Sequence, residues 1–263
     1  MHLLGYPFAF LIGLVIGSFY TATASRVLYY YYGPARKNPG RLRDFLSRRS
    51  FCMSCERRLD VWEITPFFGY FLSKGRCRSC RARLNPLYPA AELFPALLLP
   101  LLLYSGLSWP AALLGVLLCG HLYVSIATDY NYYQLDHENA FFLYLFAAGG
   151  AWFRGNGEIE RFLPYLYTSL AALGIFLLLF LASRMKGMGF GDVILIGALA
   201  LYAGFPWTLV LVQAAALGSI VHAFLIRKDP GRPGPFGVFL SLGAFFALTA
   251  EAIWNILKEA GFI

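Results

Sequence analysis

Eight long apolar stretches constrain the fold of this chain more than any other feature. A helix that crosses a membrane needs about 20 consecutive apolar residues, and most of the stretches approach or reach that length. Only 14% of the 263 residues are charged, against about 25% in a soluble domain. We therefore expect an all-α integral membrane protein, a polytopic bundle of about eight transmembrane helices. The stretches are residues 3–23, 88–105, 109–128, 139–153, 161–183, 191–204, 206–226 and 236–257.

The positive charge is concentrated in one loop after the first apolar stretch. Residues 24–86 hold 14 of the 22 Lys and Arg residues but only four of the 14 acids, which gives the segment +10 and leaves −2 for the rest. A basic segment can bind nucleic acid, but beside membrane helices it is more typical of the cytoplasmic side. We therefore expect the lipid bilayer as a partner and no nucleic acid.

Two aspartates stand at the ends of apolar stretches. Asp129 follows the third stretch, and Asp192 lies at the start of the sixth. If the basic loop is cytoplasmic, alternation across eight spans places both aspartates on the cytoplasmic side. The basic residues placed there as well are Arg184, Lys186, Arg227, Lys228 and Arg232. Every basic cluster except Arg154 and Arg161 thus lies on the cytoplasmic side, as the positive-inside rule expects.

Four of the five cysteines form two Cys-x-x-Cys pairs in the basic loop. Cys52 and Cys55 precede Cys77 and Cys80 by a spacing typical of a four-thiolate zinc site. A reducing compartment disfavours disulfides and favours a metal, with redox pairs or free thiols as the alternatives. The sequence therefore predicts a cytoplasmic zinc-type loop with four cysteine ligands after the first helix. No other internal repeat is evident.

The segment before Asp192 has three glycines at alternate positions, within Lys186–Asp192. Glycine permits backbone conformations that other residues resist and lets another peptide approach closely. A carboxylate at membrane depth indicates a functional site, and two on one side could share a proton and activate water. The alternatives are that Asp192 only caps a helix and that Asp129 lies in a solvated turn.

Several motifs in sequence order resemble those of the type IV prepilin peptidases, which are membrane aspartic proteases. The motifs follow the order found in the family: the first-helix segment, the paired cysteines, a glutamate at the start of the second span, and the two aspartates. The resemblance runs nearly end to end. The sequence differs from the usual pattern at Leu135–His137 and at Ile194. The matching residues are Gly13–Phe19, Cys52, Cys55, Gly75–Cys80, Tyr88, Pro89, Glu92, Asp129 and Gly187–Asp192.

The resemblance implies an activity and a location. Such enzymes remove the short basic leader of prepilins and pseudopilins at the cytoplasmic face of the bacterial inner membrane, and many then methylate the new N-terminus from S-adenosylmethionine. The match assigns catalysis to Asp129 and Asp192. It associates Gly75 and Arg76 with methylation, and it leaves Glu92 without a role.

The resemblance also implies that the chain is divided into three parts. Residues 1–23 would be the first transmembrane helix, 24–87 the basic loop with its structural zinc, and 88–263 the peptidase core.

Two other classes of function remain open: a non-proteolytic zinc-ribbon transporter, and a catalytically inactive subunit of a pilus or secretion assembly. The oligomeric state cannot be derived from the sequence.

Overall fold

The computed structural model describes residues 5–37, 40–183, 188–227 and 234–262, and within them the fold is all-α. These residues form no β-strand, only two isolated bridges, Phe51 with Arg58 and Arg76 with Arg83. Short π-helical turns continue α1 and α9. The helices are α1 Gly5–Val27, α2 Arg41–Ser47, α3 Phe68–Leu72, α4 Tyr88–Tyr104, α5 Trp109–Tyr132, α6 His137–Arg154, α7 Ile159–Ala182, α8 Phe190–Ala203, α9 Trp207–Val221 and α10 Phe236–Glu259.

Each of the eight predicted apolar stretches lies on one long helix, either α1 or one of α4 to α10. The helical segments containing α1, α5, α7, α9 and α10 are long and apolar enough to cross a membrane, whereas α4 and α8 are shorter apolar helices. The prediction of a multi-pass helical membrane protein is confirmed. The predicted number of eight spans is approximate.

The chain forms two compact units, Met1–Pro100 and Leu101–Ile263. In the first unit, α1 packs closely on the beginning of α4 at two glycines. A Cβ atom at Gly13 would lie 2.4 Å from the carbonyl oxygen of Pro95, and one at Gly17 would lie 2.6 Å from that of Glu92. Small residues allow membrane helices to approach at this distance. The first-helix motif therefore serves helix packing.

In the second unit, α8 is the central helix. It packs against α6, α7, α9 and α10, and α10 also contacts α5 and α9. Ten of the 14 residues of α8 are buried. By contrast, α7 and α9 expose large apolar side chains such as Leu178 and Leu217, as expected of helices that face lipid. Because α8 is enclosed by other helices, it remains stable as a short helix.

Two segments that matter for the topology prediction lie outside the described residues. These are residues 184–187 and 228–233, which contain most of the basic residues that follow α7 and α9. The side chain of Arg227 is also outside the description. The orientation of the helices in the membrane therefore stays a prediction.

The close contact of α1 with α4 gives a first prediction. Replacing Gly13 by Ala should lower the melting temperature of the detergent-purified protein, because the added methyl group collides with backbone atoms that cannot move independently. Overpacking of this kind costs about 1–3 kcal/mol. The matched control is Gly174→Ala on α7, where a Cβ would meet nothing within 4 Å. Equal melting temperatures for the two variants would contradict the close contact.

Candidate active site

Asp129 lies in the last turn of α5, and its side chain reaches the start of α10. The helix ends at Tyr133, which has the left-handed φ of 54° and donates its N–H to the carbonyl oxygen of Asp129 at 2.9 Å. The Asp129 carboxylate is half-buried, and its Oδ2 accepts the backbone N–H of Val238 at 3.0 Å. The first turn of a helix has N–H groups without intrahelical partners, so α10 supplies a donor for this carboxylate.

Asp192 occupies the first turn of α8. Its Oδ2 accepts the backbone N–H of Gly189 at 3.1 Å, and its own N–H donates to the Gly189 carbonyl oxygen at 3.1 Å. The N-cap residue is Gly189, with Asp192 three positions later. The helix-start interpretation of Asp192 is therefore correct in part, since the side chain does satisfy an N–H group at the helix start. This contact leaves Oδ1 of Asp192 available for another partner.

The structure brings the two aspartates together beside Gly237. A Cβ atom at Gly237 would lie 2.9 Å from Oδ2 of Asp129 and 3.1 Å from Oδ1 of Asp192. One oxygen of each carboxylate is thus within 3.1 Å of a single point at the first turn of α10. The first turn of α10 therefore lies against both carboxylates at once.

Two of the three alternate glycines before Asp192 are described, and neither has a positive φ. A positive φ is therefore not the reason for glycine at positions 189 and 191. Close approach explains Gly191, because a Cβ there would lie 2.9 Å from the Cβ of Leu135. Gly187 lies outside the described residues. The α5–α6 connection thus presses directly against the start of α8.

Gly237 and Val238 are part of the site, although neither is predicted from the sequence. Gly237 is the second residue of α10 and is buried. The signal available in the sequence was the run Gly234–Gly237, a Pro- and Gly-rich segment immediately before an apolar helix. Such a segment predicts a helix start, but only the packing of α10 against α5 and α8 reveals which side chains receive its N–H groups.

The four predicted zinc ligands also converge. Their Sγ atoms all lie within 4.8 Å of one another, with Cys52 to Cys80 at 3.8 Å and Cys55 to Cys77 at 3.9 Å. Four thiolates around zinc, at about 2.3 Å from the metal, would be separated by about 3.8 Å in a tetrahedron. The cluster therefore fits one metal ion with four sulfur ligands and has no open position for catalysis.

The cysteine cluster is built from two copies of one turn, Ser50–Leu59 and Gly75–Leu84. In the first copy the N–H of Cys52 donates to the carbonyl oxygen of Arg57 at 2.8 Å, and in the second Cys77 donates to Ala82 at 2.9 Å. Glu56 and Arg81 have matching positive φ values of 55° and 60°. No internal repeat is predicted from the sequence, although the two copies also share a serine, an arginine and a leucine at matching positions: Ser54 and Ser79, Arg58 and Arg83, Leu59 and Leu84.

Electrostatics around the cluster act in opposite directions on two of the thiols. Despite the backbone N–H of Ala82, desolvation and the hydrogen bonds of the other cysteines raise the pKa of Cys80 to about 11. The backbone N–H of Cys80 lowers the pKa of Cys77 to about 6 and outweighs the opposing effect of desolvation. Arg57 lies nearby and forms an ion pair with the buried Glu63 at 2.7 Å. Deprotonated sulfur is the form that binds metal, so the environment favours metal binding at Cys77, whereas an ion would have to displace a proton from Cys80.

A cavity of about 230 Å³ lies beside the cluster in the first unit. Arg76 lines it, whereas Gly75 shapes the preceding turn with a φ of 64°. Glu92 also lines the cavity and accepts two hydrogen bonds, from the hydroxyl of Thr21 at 3.2 Å and from the N–H of Phe67 at 2.5 Å. Glu92 thus connects α1, the basic loop and α4, which is a structural role for a residue that the sequence left unassigned.

Comparisons with known proteins match two families to this chain. One family model, described as the bacterial peptidase A24 N-terminal domain, matches residues 11–105, and another, described as the type IV leader peptidase family, matches residues 116–224. The first includes all four clustered cysteines, and the second includes both aspartates. Gly237 lies beyond the matched residues.

Three relatives along most of the chain carry the name prepilin leader peptidase/N-methyltransferase. The relative from Pseudomonas aeruginosa is 26% identical over 99% of this chain and 98% of its own length. The one from Neisseria gonorrhoeae is 27% identical over 96% and 93%, and the one from Bacillus subtilis is 25% identical over 90% and 91%. No solved structure matches the chain.

Proposed function

Because the chain belongs to the type IV leader peptidase family, we propose that it is a membrane aspartic endopeptidase that removes the short basic leader of prepilins and pseudopilins. The observation that carries the mechanism is the position of Asp129 and Asp192, each with one carboxylate oxygen within 3.1 Å of the same point beside Gly237. Backbone N–H groups hold both side chains by hydrogen bonds, from Val238 to Asp129 and from Gly189 to Asp192.

The proposed reaction uses the two carboxylates as a pair. Two carboxylates this close cannot both be ionised at low cost, so they share one proton. The ionised member takes a proton from water as the water oxygen attacks the scissile carbonyl carbon. The protonated member donates its proton to the carbonyl oxygen. When the tetrahedral intermediate collapses, the C–N bond breaks and the departing amine takes the proton that the first aspartate gained from water. The other aspartate regains a proton from a hydroxyl of the intermediate, which restores the pair with one shared proton.

The exposed apolar faces of two helices support a substrate that is itself a membrane helix. α7 and α9 expose apolar side chains along their length, so an apolar helix of the substrate can lie beside the bundle within the bilayer. The basic loop of residues 24–87 supports a cytoplasmic active site in the bacterial inner membrane. Residues 1–23 and 88–263 would then be the first span and the peptidase core.

The proposal includes a structural zinc ion bound by Cys52, Cys55, Cys77 and Cys80. A closed four-thiolate site supplies folding free energy and no catalytic chemistry. The ion would fix the two copies of the turn against each other and so hold the basic loop in one conformation.

N-methylation of the cleaved product is also part of the proposal, with S-adenosylmethionine as donor, because the relatives carry N-methyltransferase in their names. The cavity lined by Arg76 offers a cation for a carboxylate of the donor. Its volume of about 230 Å³ is below the roughly 300–1,000 Å³ of a small-molecule pocket, so it can enclose only part of the donor. Gly75 would act indirectly by shaping the turn that presents Arg76.

The dyad predicts that Asp129→Asn and Asp192→Asn each lower cleavage at least about a hundredfold, because neither variant can complete the proton transfers. The measurement is mass spectrometry of the N-terminus of a co-expressed prepilin. A product shortened at the leader is expected only with an intact dyad, and one additional methyl group on that product reports methylation.

The matched control is Asp136→Asn, since Asp136 accepts the N–H of Glu138 as the N-cap of α6 and asparagine caps equally well. Cleavage at the wild-type rate by either dyad variant would exclude the mechanism.

Gly237 predicts a separate effect on the same reaction. In Gly237→Ala the added methyl group overlaps the carboxylate oxygens of Asp129 and Asp192, which are side-chain ends and can move without unfolding the protein. We expect cleavage to fall about a hundredfold, as for a displacement of catalytic groups by about 1 Å, while the melting temperature changes little.

The control for this variant is again Gly174→Ala, which makes the same chemical change where no atom lies within 4 Å. Wild-type cleavage by Gly237→Ala would show that the first turn of α10 does not determine the position of the carboxylates.

The zinc proposal predicts about one zinc ion per purified chain, measured by inductively coupled plasma mass spectrometry. Cys77→Ala should lose the ion and make the loop of residues 48–86 more sensitive to limited proteolysis. Cys119→Ala is the matched control, because Cys119 is a buried thiol remote in sequence from the cluster, and it should retain the metal. Equal zinc content in both variants would rule out the site formed by the four clustered cysteines.

A further inference from the structure

The short helix α3 in the basic loop carries three large apolar side chains on one side. Phe71 and Leu72 lie three and four residues after Phe68, so the three side chains share one side of the helix. Their exposed fractions are 58% for Phe68, 56% for Phe71 and 55% for Leu72. Single exposed apolar residues are ordinary on a protein surface, whereas a group of large ones indicates a contact surface. We refer to these three side chains as the α3 face.

The other side of α3 is fixed within the first unit. Gly69 is buried, and a Cβ atom there would collide with the carbonyl oxygen of Glu63. Tyr70 lines the cavity of about 230 Å³ beside the cysteine cluster. Because Gly69 and Tyr70 face inward, α3 forms part of the cavity wall, and the α3 face is the outer surface of that wall.

A hydrogen bond to α4 sets the position of α3 along the membrane helices. The N–H of Phe67, the residue before α3, donates to Oε2 of Glu92 at 2.5 Å. Phe67 has a φ of 62°, which side chains other than glycine rarely adopt, so this bond holds a turn that is otherwise unfavourable. The other carboxylate oxygen of Glu92 accepts the hydroxyl of Thr21 at 3.2 Å. Helix α3 therefore begins level with Thr21 of α1 and Glu92 of α4.

This level lies within the apolar length of both helices. Thr21 is 16 residues from Gly5, or about 24 Å along α1, which is less than the roughly 30 Å of bilayer hydrocarbon. Helix α1 continues for six more residues to Val27, and α4 begins at Tyr88, about 6 Å before Glu92. The start of α3 thus lies at the edge of the hydrocarbon, short of the end of α1, and not in the water beyond the helices.

Cations without neighbouring acids follow the α3 face. Lys74 is exposed, and its N–H donates to the carbonyl oxygen of Phe71 at 3.0 Å, which places it directly beside this face. Residues 64–91 contain five Lys and Arg residues and no Asp or Glu. An apolar surface bordered by uncompensated positive charge is complementary to acyl chains below anionic head groups. At this depth a bilayer offers both.

We propose that α3 inserts into the membrane leaflet on the side of the basic loop. The side chains of Phe68, Phe71 and Leu72 lie among the acyl chains just below the head groups, and the Lys74 ammonium group contacts the phosphate of an anionic lipid. The segment is then an interfacial anchor within a loop that the sequence alone places in water. It forms the lipid side of the cavity wall, and it does so whether or not the chain is a peptidase.

The test is photocrosslinking of the full-length protein in nanodiscs that contain equal amounts of phosphatidylethanolamine and phosphatidylglycerol. The photoreactive amino acid p-benzoylphenylalanine replaces Phe68, Phe71 or Leu72 in separate proteins, and mass spectrometry identifies the adducts. We expect lipid adducts at all three positions, at least about tenfold more abundant than at a position in water. The melting temperature of each protein verifies that it is folded, and Leu178 on the exposed side of α7 is the positive control.

Ser54 is the matched position in water. It is exposed in the same turn as Glu56, whose carboxylate accepts the hydroxyl of Tyr29 at 2.5 Å. Tyr29 is eight residues beyond Thr21, or about 12 Å further along the helix and away from the membrane. Lipid adducts on the α3 face no more abundant than at Ser54 would overturn the proposal. Adducts of the α3 face with a second protein chain would also overturn it, since they would assign this surface to a protein partner.

The charge of Lys74 has its own test. With the photoreactive group at position 71, adducts of phosphatidylglycerol should exceed those of phosphatidylethanolamine about threefold, because a cation near the surface attracts anionic lipid. Lys74→Gln should bring the two adducts close to equal amounts. Arg161→Gln, which removes an exposed cation from the start of α7, is the matched control and should leave the ratio unchanged. A ratio that is the same with and without Lys74 would exclude its contact with a lipid phosphate.

Discussion

The need to satisfy two carboxylates beside apolar helices determines how the second unit is built. A buried charge is stable only with hydrogen-bond donors or an opposite charge. Val238 donates to Asp129 from the first turn of α10, and Gly189 donates to Asp192 at the start of α8. Both donors are backbone groups at helix starts, so the positions of α8 and α10 fix the carboxylates. Gly237 makes that arrangement possible, because no side chain separates α10 from either oxygen.

The sequence predicted the helices of this protein and indicated both aspartates as candidate site residues, because long apolar stretches and isolated carboxylates are local signals. The boundaries were less well predicted: α5 continues to Tyr132, four residues beyond the predicted end, and so contains Asp129 within its last turn. The role of the start of α10 could not be predicted, because it depends on packing against α5 and α8. The segment before Gly237 resembled an ordinary rigid turn, and nothing in its composition indicates that it faces a carboxylate.

The cysteine cluster illustrates the opposite case, in which spacing alone is enough. Two residues between the cysteines of a pair bring their sulfurs to one side of a tight turn, and two such turns complete a tetrahedron. The structure adds what spacing cannot provide: the repeated hydrogen bonds of Cys52 and Cys77, and the link from the loop to α1 and α4 through Glu92. The link explains how a loop rich in positive charge can be held firmly against apolar helices.

Arg154 shows why an exception to a topological rule can carry information. The positive-inside rule places few basic residues on the outer side, because a cation there gains nothing from the cytoplasmic leaflet. In the predicted orientation Arg154 lies on the outer side, in a buried pair with Glu251. An ion pair of this kind is weak evidence for stability, since its desolvation often cancels its attraction. The rings of Tyr165 and Tyr202 lie beside the Arg154 guanidinium group, and Glu251 supplies the opposite charge. The exception to the rule therefore has a structural cause, because three neighbouring helices supply the contacts of this one cation.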